Sequence, residues 1–485
     1  MIDITPADQE IVTAILKKYV PHAEVRVFGS RHKWTAKPYS DLDLAIVADA
    51  KLDKQLIYDL EEAFEESELS FRVDVIDWFA ISDEFRAIIE QGYTVIQEKT
   101  RTLPAGWVVK KLGDVIQMTT GKLNANKAEE HGIYPFFTCA PQPYKINKFA
   151  FDCDAVLLAG NNANGTFHVN RYNGKFNAYQ RTYVITALEY SSIDFIYYKL
   201  KNIISDFVGT SQGSATKFLT KPLIENTIIE LPPLDKQKEI AAILSSLDDK
   251  IERNQQINKK LEEMAQAIFK EWFIDFNFPD ENGNPYRDSG GAMTDSELGL
   301  IPASWSVGKL GEEFNITMGQ SPVGSSYNES KEGMIFFQGR TDFGTRFPSI
   351  RLFTTEPKRI AKKFDILLSV RAPVGDINIA LQDCCIGRGL AAINAENKSY
   401  CYYKLQFLQQ QFNIYNGTGT VFGAINKDQL HGLSVVIAAQ NVVRNFEDVV
   451  SKIDEKIYHN HLEILNLQNT RDTLLPKLIS GELIL

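Results

Sequence analysis

The sequence predicts a multidomain α+β chain: a small α/β domain first, then two repeated β-rich α+β domains separated by two long antiparallel coiled-coil helices. Three observations predict it. A series of motifs returns in the same order about 200 residues downstream, a heptad stripe follows each copy, and the first hundred residues differ from the rest in charge and periodicity. The 485 residues leave room for three or four domains at roughly 100 to 200 residues each. With 44% hydrophobic and 24% charged residues the composition is globular, which excludes disordered and fibrous chains. The boundaries read as 1–100, 101–234, 235–299, 300–438 and 439–485.

In 1–100, apolar spacing at Ile11, Ile15 and Leu16 predicts an amphipathic helix, EVRVF (24–28) a strand, DLDLAIV (41–47) a second strand, 53–67 a helix, RVDVI (72–76) a third strand, and Ser82 the cap of a last helix. Asp41 and Asp43 stand at i and i+2 of one strand, so their side chains leave one face. Asp74 lies on a later strand that can pair beside them. Three converging carboxylates repel each other unless cations intervene, and Mg²⁺ bridging to nucleotide phosphates suits such a cluster. Gly29-Ser30, directly after a strand, offers an unhindered backbone and a hydroxyl to phosphate oxygens.

This spacing, Gly29-Ser30 then Asp41-x-Asp43 with Asp74 downstream, resembles the minimal nucleotidyltransferase domain of the polymerase-β superfamily over nearly all of 1–100. The resemblance implies transfer of a nucleoside monophosphate from a nucleoside triphosphate, with Asp41, Asp43 and Asp74 as metal ligands, Asp74 alternatively as base, and Gly29 and Ser30 at the nucleotide. Trp34 and Lys37 depart from that pattern, which implies an altered nucleotide fit.

Downstream, Leu103-Pro104-Ala105-Gly106-Trp107 with Lys111-Leu112-Gly113 returns as Ile301-Pro302-Ala303-Ser304-Trp305 with Lys309-Leu310-Gly311, at a constant offset of 198. Tyr197-Tyr198-Lys199-Leu200 returns as Tyr402-Tyr403-Lys404-Leu405, Gly209-Thr210 as Gly417-Thr418, and LSSLDDKIERNQQINKKL (244–261) as VSKIDEKIYHNHLEILNL (450–467). A period this long means two globular domains, each followed by a helix. The first helix carries a 4-3 seam from Ile240 through Leu244, Leu247, Ile251, Asn254, Asn258 and Leu261 to Trp272. The second carries one from Val443 through Phe446, Val450, Ile457, Asn460 and Ile464 to Leu474, and is expected to end at Pro476. Each seam suits the other as an antiparallel partner. Asn254 and Asn460 then either meet near mid-seam and fix the register, or face solvent at a seam irregularity. The first seam is roughly 50 Å long, on the order of 14 base pairs of B-DNA.

The repeated domains show short apolar runs such as AVLLAG (155–160), RTYVIT (181–186), FDILLSV (364–370) and LSVVIA (433–438) broken by Gly, Asn and Pro, the signature of short strands. Asn161, Asn162, Arg171, Lys175, Gln338 and Arg340 stand in Gly/Asn-rich stretches among aromatics; these residue types make hydrogen bonds to base edges, and they are equally ordinary turn residues. The formal charge of −10 is unevenly spread: 1–100 carries −9, the segments 102–234 and 300–438 carry +3 each, 235–299 carries −6 and 439–485 carries −2. Two mildly basic domains between acidic segments fit two DNA-touching surfaces.

The duplicated Pro-x-x-Trp openings, the run Leu231-Pro232-Pro233-Leu234 leading through Gln237 and Ile240 into the first helix, the repeated Asp-x-Lys-Ile pattern and the ending Leu475-Pro476-Lys477-Leu478-Ile479-Ser480-Gly481-Glu482-Leu483 resemble the specificity subunit of type I restriction-modification systems over about 101–485. The resemblance implies two target-recognition domains, each reading half of a bipartite double-stranded DNA site, and helices that separate them and dock methyltransferase (modification) subunits, with a restriction/translocase subunit as further partner. At 436–440 the second copy lacks the proline-rich junction of the first. The rival reading is an enzyme: a nucleotidyltransferase that modifies a protein or nucleic acid, with the remainder as a DNA-targeting scaffold. A catalytically idle first domain that only mediates protein contacts is the third. No cofactor is expected for 101–485, and Mg²⁺ with a nucleoside triphosphate for 1–100.

Other motifs predict nothing catalytic. Asn284-Pro285-Tyr286 lies in the polar stretch DENGNPYRDSGG and reads as a turn. His459 and His461 are two apart on a helix and cannot face one metal. Cys139, Cys153, Cys384, Cys385 and Cys401 show no metal or disulfide spacing, so reduced thiols are expected. No apolar run approaches the roughly 20 residues that span a bilayer, and the acidic N-terminus is unlike a secretory signal, so the expectation is a cytoplasmic protein with no membrane partner.

Overall fold

The structure, a computed structural model, describes residues 2–37, 39–48, 50–99, 103–162, 166–210, 217–416 and 423–485. The chain forms two compact units, Met1–Ala241 with Leu475–Leu485, and Ala242–Leu474.

The first unit opens with α1 (Pro6–Tyr19), which starts where it does because Thr5 and Asp8 cap each other's backbone N–H reciprocally. Then come β1 (Glu24–Phe28), α2 (Gly29–His32), β2 (Leu42–Val47), α3 (Lys54–Glu65), β3 (Val73–Asp77), α4 (Asp83–Glu90) and β4 (Thr94–Gln97). Asp53 and Ser82 cap α3 and α4 through their side chains. The sheet order is β3-β2-β1-β4, with β2 and β3 parallel and the other pairs antiparallel. Val12, Leu16, Leu60 and Phe64 of the two long helices close one sheet face over Val25, Val27, Leu42 and Leu44. The expected strands appear within a residue of their predicted positions; β4 was not expected, and Asp41 lies one residue before β2.

The first repeated domain continues with β5 (Val108–Lys111), β6 (Ile116–Thr120), β7 (Tyr134–Phe137), β8 (Tyr144–Ile146), β9 (Phe151–Ala159), β10 (Asn161–Asn162), β11 (Val169–Ala178), β12 (Thr182–Ala187), α5 (Ile193–Thr210), β13 (Lys217–Phe218), α6 (Lys221–Glu225) and β14 (Ile228–Leu231). Its main sheet runs β6-β12-β9-β11-β7-β8, and β5 and β14 form a separate ribbon. Next comes α7 (Leu234–Phe269), extended by a wider turn over Lys270–Ile274.

The second unit adds β15 (Met293–Ser296), β16 (Gly299–Pro302), β17 (Ser306–Lys309), α8 (Leu310–Glu313), β18 (Asn315–Met318), β19 (Tyr327–Asn328), β20 (Met334–Phe337), β21 (Phe353–Thr354), β22 (Ile360–Ala361), β23 (Ile366–Ser369), β24 (Ile377–Ile379), β25 (Cys384–Ile386), β26 (Leu390–Asn394), α9 (Lys398–Phe407), α10 (Gln409–Phe412), α11 (Lys427–His431), β27 (Ser434–Ile437) and α12 (Gln440–Ser480). The sequence repeat is a repeat of topology. The ribbon β5–β14 matches β17–β27, and the order β6-β12-β9-β11 matches β18-β26-β23-β24. A parallel pair recurs as well: Phe136 and Phe137 of β7 beside β11, Phe336 and Phe337 of β20 beside β25. Both Pro-x-x-Trp openings form the same turn, Trp107 and Trp305 each donating their N–H to the proline carbonyl at 3.1 and 2.9 Å. Trp305 is buried among Phe273, Phe276 and Phe278, which follow α7. Gly481, just past α12 at φ +71°, lies so close to Pro104 and Trp107 that a Cβ there would sit 2.8 and 3.0 Å from their rings.

Within the second unit α7 and α12 run antiparallel, as their contacts show: Asp248 pairs with Arg471 at 2.7 Å, Asn254 Nδ2 donates to Glu463 at 2.8 Å, and Asn460 Nδ2 donates to Asn258 Oδ1 at 2.8 Å. The predicted seam residues Leu244, Ile251, Val450, Ile457 and Ile464 are buried, and so are Asn254 and Asn460. Those two asparagines neither meet nor face solvent, which corrects both expectations for them: both are buried, and Asn460 takes Asn258 while Asn254 takes Glu463, because heptad spacing fixes a face and leaves the axial offset open by a turn. The second correction concerns Pro476. α12 continues through it to Ser480, since burial of Leu478 and Ile479 outweighs one lost backbone hydrogen bond.

The remaining expectations concern turns and thiols. Asn284-Pro285 is in a turn, where Asp280 accepts from the N–H groups of Asn282 and Asn284 at 2.8 Å. All five cysteines are unbridged. Among the described residues no helix is long and apolar enough to cross a membrane.

Candidate nucleotide site and nucleic-acid interface

The sheet of 1–100 brings the predicted nucleotide residues to one edge of its open face. Phe28 is the register partner of Asp43 across β1–β2, and Asp74 is its partner across β2–β3, so Phe28, Asp43 and Asp74 stand side by side. Gly29 follows Phe28 at φ +73°, and a Cβ built on it would lie 2.1 Å from Asp43 Oδ2. Both conditions, the left-handed backbone and the carboxylate over its α-carbon, require glycine. Ser30 is the next residue of α2.

Asp43 is half-buried, and burial, followed by the charges of Asp74 and Asp41, pushes its pKa above the ordinary carboxylate value. Asp74 is partly neutralised by Arg72, whose Nε is 3.0 Å from Oδ1. Among the described residues no three His, Cys, Asp or Glu side chains form a ready-built metal cage. The repulsion that Asp43 feels from two neighbouring carboxylates is nevertheless what a hard divalent cation relieves, so the donor set fits Mg²⁺ once phosphate oxygens complete the shell. Arg31 is a residue that motif reading passed over. Buried, it donates to the Ser40 carbonyl through Nε (3.0 Å) and Nη2 (2.7 Å), and to the Asp3 carbonyl through Nη1 (2.8 Å), with Phe71 against its face. It thereby fixes the chain one residue before Asp41. Its signal was its place directly after Gly29-Ser30.

The candidate base readers stand on several different elements within each repeated domain. Asn161 lies on the β10–β13 ribbon and accepts from the Cys139 thiol at 2.8 Å; the side chain of Asn162 lies outside the described residues, as do Gly417 and Thr418. Arg171 on β11 is held by Asp154 and, at 2.8 Å, by Asp194. Lys175 is exposed, its ammonium 4.9 Å from the Phe149 ring centroid. In the second domain Gln338 is exposed, while its carbonyl is closely approached by Gly387 and Gly389. Arg340 pairs with Asp376. It lines an open groove of about 1300 Å³ with Thr341, Gln406, Gln409 and Gln410, the amide and guanidinium chemistry that reads base edges.

A family model described as the type I restriction modification DNA specificity domain matches residues 104–263 and again 302–442. The chain belongs to that family. A second model, polymerase beta nucleotidyltransferase, matches residues 10–101 of the same specificity chain. The MjaX type I restriction enzyme specificity subunit of Methanocaldococcus jannaschii is 29% identical over 417 residues, 79% of this chain and 94% of that protein. The Escherichia coli EcoDI specificity subunit is 37% identical over 222 residues, 42% of this chain and 48% of that protein. Over the N-terminal domain MntA of Haemophilus influenzae, named as a protein adenylyltransferase, is 49% identical across 102 residues, 21% of this chain and 90% of that protein. A crystal structure of an S subunit from M. genitalium shares the fold at TM-score 0.54 and 16% identity, covering 79% of this chain and 97% of that one. The specificity chain therefore carries an appended nucleotidyltransferase domain of the MntA kind.

Proposed function

We propose that residues 101–485 select DNA for a type I restriction-modification complex, each repeated domain reading one half of a split double-stranded site. The helices would dock methyltransferase subunits, with a restriction/translocase subunit completing the assembly in the cytoplasm. The duplicated topology, with its matched ribbons and parallel pairs, carries this reading: two siblings on one chain suit two halves of one site. Gln338 and Arg340 in the second domain, and Lys175 with Asn161, Asn162 and Arg171 in the first, remain its candidate base readers. Sequencing the methylated sites produced by the chain with its modification subunits tests it, with a split motif as the expected result and methylation without sequence preference as the refuting one.

We further propose that 1–100 transfers a nucleoside monophosphate from ATP to a protein hydroxyl. Asp43 flanked by Asp41 and Asp74 carries this reading, and the kinship to MntA supports the protein acceptor. Asp41 and Asp43, with Asp74 at their side, would hold Mg²⁺, which when bound neutralises the phosphates and orients them. Gly29 lets the phosphate chain approach the backbone, and Ser30 offers its hydroxyl. The acceptor oxygen attacks the α-phosphorus, pyrophosphate leaves, and the acceptor proton passes to a carboxylate, for which Asp74 stands ready. Transfer of label from ATP should vanish in the Asp41→Ala, Asp43→Ala double variant; undiminished transfer refutes the assigned site.

A further inference from the structure

Arg346, which no predicted site included, is a buried guanidinium at 6% exposure. Nη1 pairs with Glu262 of α7 and donates to the Tyr403 hydroxyl at 2.9 Å, while Nη2 lies 2.7 Å from Asp454 of α12. Tyr402 stacks under it at 4.3 Å, and the Tyr403 hydroxyl donates in turn to Asp454 at 3.0 Å. One side chain of the second repeated domain is thus clamped to both helices, through two motifs that the duplication repeats, Tyr-Tyr-Lys-Leu and Asp-x-Lys-Ile. The counterpart of Asp454 in the first copy, Asp248, pairs with Arg471 of the opposite helix.

The clamp continues into the polar groove. Gln406 donates to Glu262 at 2.9 Å and accepts from Gln266 at 3.1 Å, and both glutamines line the groove beside Arg340. Between Arg340 and Arg346 the loop is stiffened: Gly344 exchanges two 3.0 Å hydrogen bonds with the Asn378 side chain, and the Arg346 carbonyl accepts from Ile379 N–H at 2.9 Å. A rigid loop therefore has candidate base readers at one end and the buried guanidinium at the other.

We propose that Arg346 is a positioning residue for DNA recognition: it fastens the loop carrying Gln338 and Arg340 to both helices at once, so that the second domain reads its half-site at one fixed displacement along the helix pair. This rests on the reading of the repeated domains as DNA readers. Breaking a buried ion pair removes its geometric constraint along with its energy, and lysine, with a single compact ammonium, cannot bridge two carboxylates as a planar guanidinium does.

The experiment uses the full chain assembled with its modification subunits, and duplexes carrying the methylated split site, that site with one base pair inserted between the halves, and that site with a base changed in the first half. An insertion shifts the second half by about 3.4 Å and roughly a tenth of a turn. The native chain is expected to disfavour the insertion on the order of ten- to a hundredfold. Arg346→Met should retain less than about a third of that discrimination and Arg346→Lys an intermediate share, while both keep the full penalty for the first-half change. Glu262→Gln and Asp454→Asn, each cutting one arm, provide the same test should Arg346→Met fail to fold. Folded variants with native discrimination against the insertion overturn the proposal alone; a native complex with no preference for any split site overturns the reading beneath it.

Discussion

The polar pair inside the helix seam gives a prediction free of any assumption about partners. Asn460 is buried, and its amide donates to Asn258 Oδ1 at 2.8 Å, while Asn258 donates to the Ile457 carbonyl at 3.3 Å. Replacing Asn460 by leucine takes the donor from the half-buried Asn258 carboxamide oxygen, and replacing Asn258 by leucine leaves the buried Asn460 amide without its acceptor. Leaving a buried polar group unpaired costs about 1–3 kcal/mol, against about 0.5–1.5 kcal/mol contributed by an ordinary hydrogen bond. Each single leucine substitution should therefore destabilise the pair by about 1–2 kcal/mol, which corresponds to roughly 5- to 30-fold faster exchange of protected amides. Asn258→Leu with Asn460→Leu removes both polar groups, and the seam should return to native protection or exceed it. Native-state hydrogen exchange over 248–262 and 454–471 reads all four states, and the double-mutant cycle isolates the coupling. Additive destabilisation, with the double variant about twice as damaged as either single, would refute the claim that these asparagines act as a unit.

Gly29→Ala forces a Cβ to 2.1 Å from Asp43 Oδ2, so the carboxylate must move by more than about 1 Å. A misplacement of that size reduces transfer about a hundredfold, and native transfer rates in a folded variant would contradict the proposed site. The raised pKa of Asp43 makes its charged form unfavourable in the fold, so stability present below the ordinary value of 3.8 is lost as pH rises through the raised pKa. Asp43→Asn should then raise the metal-free melting midpoint at neutral pH and leave it unchanged in acid, while Mg²⁺ should raise the native midpoint more than the variant's; a pH-independent difference sinks this reading. In the second domain Lys404 is buried against Glu313 and the Val436 carbonyl. Glu313→Leu strands that charge at a cost of about 3–5 kcal/mol, lowering the melting midpoint by roughly 6–20 °C, and Glu313→Leu with Lys404→Met should recover most of the loss.

Much of this was legible because it is periodic or local. The seams follow from spacing of Leu and Ile, the three carboxylates from alternation on two strands, and the duplication from motif order. What escaped depends on contacts distant in sequence. Strand β4 is four residues without a polar alternation and is defined by its partner β1. Arg346 reaches Glu262 and Asp454, neither adjacent to it in the chain. Arg171 and Arg340 carried the right chemistry for bases, but the carboxylates that hold them, Asp154, Asp194 and Asp376, could be found only once the strands were placed. Pro476 shows local propensity yielding to burial.

Gly481 has a bearing on how the protein is made. It abuts Pro104 and Trp107, so the opening turn of the first repeated domain is completed by a segment that leaves the ribosome several hundred residues later. At roughly 5–20 residues per second this wait lasts tens of seconds. During it the nascent domain leaves the Pro104 and Trp107 rings without the Gly481 segment that packs on them, and a chaperone has its opportunity to bind.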